Sequence, residues 1–255
     1  MRLLPLFAVT SLAFAAPSQA AAKRTLSIAA AANLKAAAEE MKQGFQAEQP
    51  GVEVTLTFGA SGAFFAQIEA GAPFDLFLSA DRGYPEKVVA ARLGAAADER
   101  VFAFGKLAGW LPPGSTVDLE KKGLAALADP AVKRIAMANP AVAPFGRATV
   151  AALRAAGVYE AVKGKLVLGT SVAQAAQFAT TGAADVAFLP QSMTLAKELA
   201  GGKVVPVDEK LYPRIEQAGI VLAAAREPAL ARAFLAFVTG EKGRAILARY
   251  GYGLP

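Results

Sequence analysis

The sequence predicts an α/β fold with mostly parallel sheets flanked by helices, and three observations carry that prediction. Short β-like runs alternate with amphipathic helical segments from Leu26 to Tyr250, the pattern produced by repeated strand–helix units. The 255 residues include no cysteine, so the core must be large enough to fold without disulfides. Two stretches, Phe102–Leu111 and Ile215–Leu222, are long enough to be crossover strands between two lobes.

The N-terminus stands apart from this alternation. Arg2 precedes an almost unbroken apolar run, Leu3–Ala16, and small residues follow, with Ser18 and Ala20 at signal-peptidase spacing. Residues 1–22 therefore read as a signal peptide cleaved after Ala20 or Ala22. The run is shorter than the roughly 20 apolar residues of a membrane span. With no lipobox cysteine, the expectation is a free periplasmic protein.

Beyond it, Leu26–Ala31 reads as a buried strand, and Leu34, Ala37, Ala38, Met41 and Phe45 recur at helical spacing. Val52, Val54, Leu56 and Phe58 alternate as in a half-buried strand. Helices are expected over Gly62–Ala70 and Pro85–Arg92, on either side of a strand at Leu76–Leu78. Further on, strands at Ile135–Ala138, Leu166–Leu168 and Val186–Leu189 are followed by helices at Ala148–Ala156, Val172–Thr181 and Ser192–Leu199. Gly219–Ala224 reads as a strand, before final helices around Ala229–Val238 and Lys242–Tyr250. Asp75 is expected to begin a strand after the Gly-Ala-Pro turn, and Asp81 to cap the next helix.

Composition narrows the function. Histidine is absent along with cysteine, which excludes Ser-His-Asp and Cys-His nucleophile systems and zinc sites built from those residues. The formal charge of +6 falls by one when Arg2 is removed, and Lys and Arg form no cluster. No basic stripe marks a nucleic-acid surface.

Four junctions share one design, in which a strand ends, a short turn follows and a helix begins. They are Ala30–Asn33, Phe58–Gly62, Ala143–Gly146 and Gly169–Val172. Ligands of open α/β sheets sit at the carboxyl ends of strands, and helix N-termini offer unpaired N–H groups and partial positive charge. Several termini converging on one cleft bind an anion without Lys or Arg. Each junction also has a purely structural reading: Asn33 and Ser61 as N-caps, Phe145 as core and Val172 as a first-turn residue.

The continuous run FGASGAFFAQIEAGAPFDLFLSAD, Phe58 to Asp81, resembles the periplasmic molybdate-binding proteins of ABC importers. SIAAAANLKAA, ANPAVAPFGRA, GTSVAQAA and RYGYGLP extend the resemblance from Leu26 to Leu254. It implies a two-lobed type II periplasmic binding protein fold, with ligand in the inter-lobe cleft. Residues 23–104 and 217–255 would form lobe 1, and 105–216 lobe 2. It also implies a monomer that holds molybdate or tungstate, uses no cofactor or direct metal-ligand side chain, catalyses nothing and delivers its anion to a transmembrane permease.

Carried over by position, Asn33 stands where the family usually has a donating Ser. Ser61 matches a Ser that donates through hydroxyl and N–H, while Phe145 and Val172 match backbone N–H donors. Many members add a Tyr hydroxyl at the position of Phe145 or of Leu189. This chain has neither, which leaves Asn33, Thr170, Ser171 or Arg147 as replacement donors. Three alternatives stand beside this reading: another oxyanion (sulfate, chromate or phosphate), a ligand-responsive sensor, and an exported enzyme with Ser61 as nucleophile.

Overall fold

The computed structural model describes residues 24–255; the expected signal segment lies outside them. The chain first lays down β1 (Arg24–Ala31), α1 (Lys35–Glu48), β2 (Val52–Gly59), α2 (Ser61–Glu69), β3 (Leu76–Ser79), α3 (Gly83–Ala90) and β4 (Gly94–Gly105). It then passes at Lys106 into a second body. That body contains β5 (Leu107–Leu111), α4 (Leu119–Lys122), β6 (Ile135–Ala138), α5 (Pro144–Ala155), α6 (Tyr159–Val162), β7 (Leu166–Gly169), α7 (Val172–Thr180), β8 (Val186–Pro190) and β9 (Lys203–Pro206). It returns through β10 (Ile215–Leu222), α8 (Pro228–Thr239) and α9 (Glu241–Arg249).

Each lobe is built on a five-stranded sheet, ordered β2-β1-β3-β10-β4 in the first and β7-β6-β8-β5-β9 in the second. Three strands of each sheet are parallel, and the remaining pairings, through β10 and through β5, are antiparallel. The antiparallel pairs are made by the strands that carry the chain between lobes. The stretch read as one crossover, Phe102–Leu111, is thus two strands in two sheets, separated at Lys106.

Position in the sheet explains the sequence patterns. β1 lies between β2 and β3, so Leu26, Ile28, Ala29 and Ala30 are all fully buried. β2 is an edge strand and shows strict alternation, with Val52 and Val54 inside and Glu53 and Thr55 exposed. Ala37, Ala38, Met41 and Phe45 form the buried face of α1. Phe45 meets Phe234 and Phe237 of α8 edge-on, with ring centroids 5.0 and 5.8 Å apart, which anchors the C-terminal helices to the first lobe.

The helix expected over Ser192–Leu199 is instead two 3-10 turns, Gln191–Leu195 and Lys197–Leu199. Ala196 between them is extended, and the Thr194 hydroxyl donates to the Gln191 carbonyl at 2.7 Å. Such local side-chain bonding competes with a regular helix. α5 begins at Pro144, four residues before the apolar periodicity suggested, because Pro is accommodated at the first helical position.

Candidate functional site

Strand register creates the site. Ala31 of β1 lies opposite Gly59 of β2, so the turns that follow them emerge side by side. In the other lobe Ala138 of β6 lies opposite Gly169 of β7, and the Asn139 N–H donates to the Gly169 carbonyl at 2.7 Å. Each lobe therefore presents two adjacent strand ends at one level.

Asn33, Ser61, Phe145 and Val172, the four candidates from sequence, all line one small cavity between the lobes. They are 4, 1, 2 and 6% exposed, respectively. The space open to the centre of a water-sized sphere is about 10 Å³, that of roughly one water-sized group, which leaves no room for an organic ligand. None of its lining residues carries a charged side chain.

Neither N-cap reading holds. The cap of α2 is Ala60, with Ser61 as the first helical residue, and Asn33 lies inside a 3-10 turn, Ala32–Leu34, that precedes α1. The Ser61 Oγ accepts the Ala80 N–H at 2.9 Å, which leaves its own proton to donate. The backbone N–H groups of Ser61, Phe145 and Val172 have no acceptor among the described residues. They are first-turn groups of α2, α5 and α7, orphaned by helix geometry.

Asn33 is held from behind. Its Nδ2 donates to the Gln217 Oε1 at 2.9 Å and to the Tyr252 hydroxyl at 3.1 Å. Tyr252 donates in turn to the Asn33 carbonyl at 2.8 Å, and burial pushes the Tyr252 phenol far above its usual range. The Asn33 Oδ1 and Gln217 Nε2 are left without partners. Both Asn33 amide hydrogens are thus engaged behind the pocket.

Of the replacement donors expected from sequence, Asn33 lines the pocket, and Thr170, Ser171 and Arg147 do not. Ser171 caps α7 by accepting the Gln174 N–H, and the Thr170 N–H is bound to the Gln174 Oε1. Leu189 is fully buried within β8. Arg147 turns toward the opposite lobe, where it pairs with Asp81, donates to the Tyr84 hydroxyl at 3.3 Å and lies 5.3 Å from the Tyr84 ring centre. Beside this pair the Gly62 N–H donates to the Val142 carbonyl at 2.9 Å, again across the lobes. A Cβ at Gly62 would overlap the Tyr84 hydroxyl and come within 2.9 Å of the Val142 Cα. Only glycine permits this approach.

Asp81 also accepts the Tyr84 N–H at 3.3 Å, in the first turn of α3. Asp75 is a buried structural staple: it accepts the Ser27 N–H at 2.7 Å and the Arg226 N–H at 2.7 Å. Sequence reasoning missed Gln217 and the partnership of Arg147 with Asp81. Tyr252 lay inside a quoted motif, RYGYGLP, with no role given to it.

Residues 26–253 match the family described as bacterial extracellular solute-binding protein. The molybdate-binding protein ModA of Rhodobacter capsulatus is 38% identical over 88% of this chain and 86% of its own length. That of Azotobacter vinelandii is 36% identical over 92% of each chain. The solved structure of an Azotobacter vinelandii periplasmic molybdate-binding protein superposes with a TM-score of 0.83 at 31% identity, over 90% of this chain and 99% of that one. By fold, by length of match and by identity, the chain belongs to the bacterial extracellular solute-binding proteins.

Proposed function

We propose that this protein binds molybdate or tungstate in the periplasm and delivers it to the permease of an ABC importer. The observation that carries the reading is the convergence of three orphaned helix-start N–H groups and two polar side chains on one buried, uncharged cavity between lobes. Such a site stabilises a small dianion through aligned dipoles and hydrogen bonds. The relatives named for molybdate binding support the choice of ion.

The binding role assigned to Asn33, Ser61, Phe145 and Val172 is part of this proposal. So are lobes spanning residues 23–104 with 217–255 and 105–216, the cleaved leader and a monomeric state. Catalysis has no place in it: the Ser61 Oγ faces a backbone N–H, and no ionisable side chain lines the cavity. A transport role is favoured over sensing by the likeness to a solved substrate-binding domain, described as that of a molybdenum ABC transporter from Clostridium difficile, 29% identical with a TM-score of 0.69.

Selectivity follows from the donors. Phosphate near neutral pH keeps a proton that needs an acceptor, whereas molybdate, tungstate and sulfate need donors only. Fixed helix ends then separate molybdate from sulfate by size. Calorimetric titration of wild type and Ser61→Ala against these four anions tests the reading. Removing a hydrogen bond to a charged group costs about 1.5–3 kcal/mol, so Ser61→Ala should bind molybdate roughly 10- to 150-fold more weakly. Phosphate binding as tight as molybdate, or a wild-type Ser61→Ala, refutes it.

A further inference from the structure

A second cavity, of about 630 Å³, lies beside the anion pocket and shares Ala32 and Asn33 with it. The first lobe supplies one wall, with Lys35, Ala36 and Glu39 of α1 and Tyr250. The second lobe supplies the other, with Ala176 and Thr180 of α7 and the 3-10 turns that carry Ser192 and Lys197. The contact between lobes that closes around the anion thus leaves a chamber of organic-ligand size.

We propose that this chamber binds a small zwitterion with an apolar body, the size of an aromatic amino acid, and that its occupant strengthens oxyanion binding by bridging the closed lobes. Three features of the lining point to that class. Its apolar side includes Met193, Leu199 and Leu195, and Leu195, 62% exposed, is one of two exposed large hydrophobic side chains among the described residues. Each wall carries one cation and one anion, Lys35 with Glu39 and Lys197 with Glu198. Among the described residues, Lys35, Lys197 and Glu198 form no ion pair.

The third feature is a pair of buried polar atoms, the Asn33 Oδ1 and the Ser192 Oγ, both on lining residues and both without a hydrogen-bond partner. The two residues are 4 and 8% exposed. Buried polar atoms are nearly always paired, so an ammonium or hydroxyl donor from a ligand would complete them. Asn33, gripped by Tyr252, lines both cavities. An occupant would therefore touch the support of the anion site.

Because the walls come from different lobes, the occupant binds the closed form better than the open one, and the two ligands must reinforce each other reciprocally. The inference does not depend on which oxyanion fills the neighbouring pocket. L-phenylalanine is the probe, titrated calorimetrically into anion-free and molybdate-saturated protein. Binding should be tighter in the saturated protein, and saturating phenylalanine should lower the molybdate Kd by at least about fivefold. Ala176→Trp and, at the rim, Thr180→Trp fill the chamber. Both should abolish phenylalanine binding and the coupling while holding the uncoupled molybdate Kd within about twofold of wild type. Ser192→Ala should weaken phenylalanine alone. Absence of phenylalanine binding to protein that binds molybdate, binding that survives both Trp variants, or a molybdate Kd unmoved by bound phenylalanine overturns the proposal. Failure of molybdate to bind would instead sink the oxyanion reading, with the titration of anion-free protein and the Trp variants still deciding the chamber.

Discussion

Arg147→Gln should loosen the grip on the anion from outside the pocket. Arg147 lies two residues beyond Phe145 on α5 yet pairs with Asp81 and the Tyr84 hydroxyl of the opposite lobe. The pair is partly exposed, with side chains 43 and 21% accessible, so it belongs with surface ion pairs worth about 0.2–1 kcal/mol. The cation–π contact with Tyr84 adds about 0.5–1 kcal/mol. Together they favour closure by about 0.7–2 kcal/mol, a factor of roughly 3–30 in an equilibrium constant. If the lobes must part to release the anion, this factor falls mainly on koff. Stopped-flow release of molybdate at low and high salt measures it, and screening should shrink the wild-type advantage. Asp81→Asn retains an oxygen for the Tyr84 N–H, so a double-mutant cycle with Arg147→Gln isolates the pair. Wild-type release by Arg147→Gln at low salt, or strict additivity of the two variants, would refute the reasoning.

Gly62→Ala should weaken both stability and binding. Its methyl group would overlap the Tyr84 hydroxyl of the same lobe and crowd the Val142 Cα of the other, and such overpacking, at about 1–3 kcal/mol, outweighs the gain of about 1 kcal/mol in helix propensity. Anion-free protein should melt lower, molybdate should bind roughly tenfold more weakly, and small-angle scattering should show less compaction on adding ligand. Asn33→Ala leaves Gln217 and the Tyr252 hydroxyl without their shared partner, so it should lose about 1–3 kcal/mol of stability and lower Tm more than Ser61→Ala does. Tyr252 stays protonated in the fold well above the pH at which it ionises when unfolded. Wild-type stability should therefore fall as pH rises above about 10, and denaturant titrations of Tyr252→Phe should show a shallower fall from a lower neutral-pH value.

Much of this was legible because it is local. The alternation of Val52, Val54, Leu56 and Phe58 announced a half-buried strand, and the Gly-containing turns at the strand ends marked the places where helices begin. The four site candidates came from those turns, and the structure gathers all of them around one cavity. What escaped is what joins distant residues. Gln217 lies 184 positions from Asn33 and Tyr252 lies 219 from it, and no spacing rule connects them. The polar strand residues of Gly94–Val101 carried no β signal, since their pairing with β10 is set by the return of the chain. The failed helix at Ser192–Leu199 shows the converse, apolar spacing outweighed by local hydroxyl bonding.

The place of β10 in its sheet also governs the order in which the molecule can assemble. It lies between β3 and β4, pairing Leu76 with Val221 and Gly105 with Ile215. Until the chain has been made as far as residue 222, β4 has no neighbour and β3 has an open edge, although the whole of the second sheet has already been synthesised. The inserted lobe can close on contacts made within residues 107–206, while its host must wait for a pairing across more than half the sequence, and such non-local contacts fold slowly. A nascent chain that stays incomplete in its first half until its last quarter emerges is one that other factors can still hold unfolded.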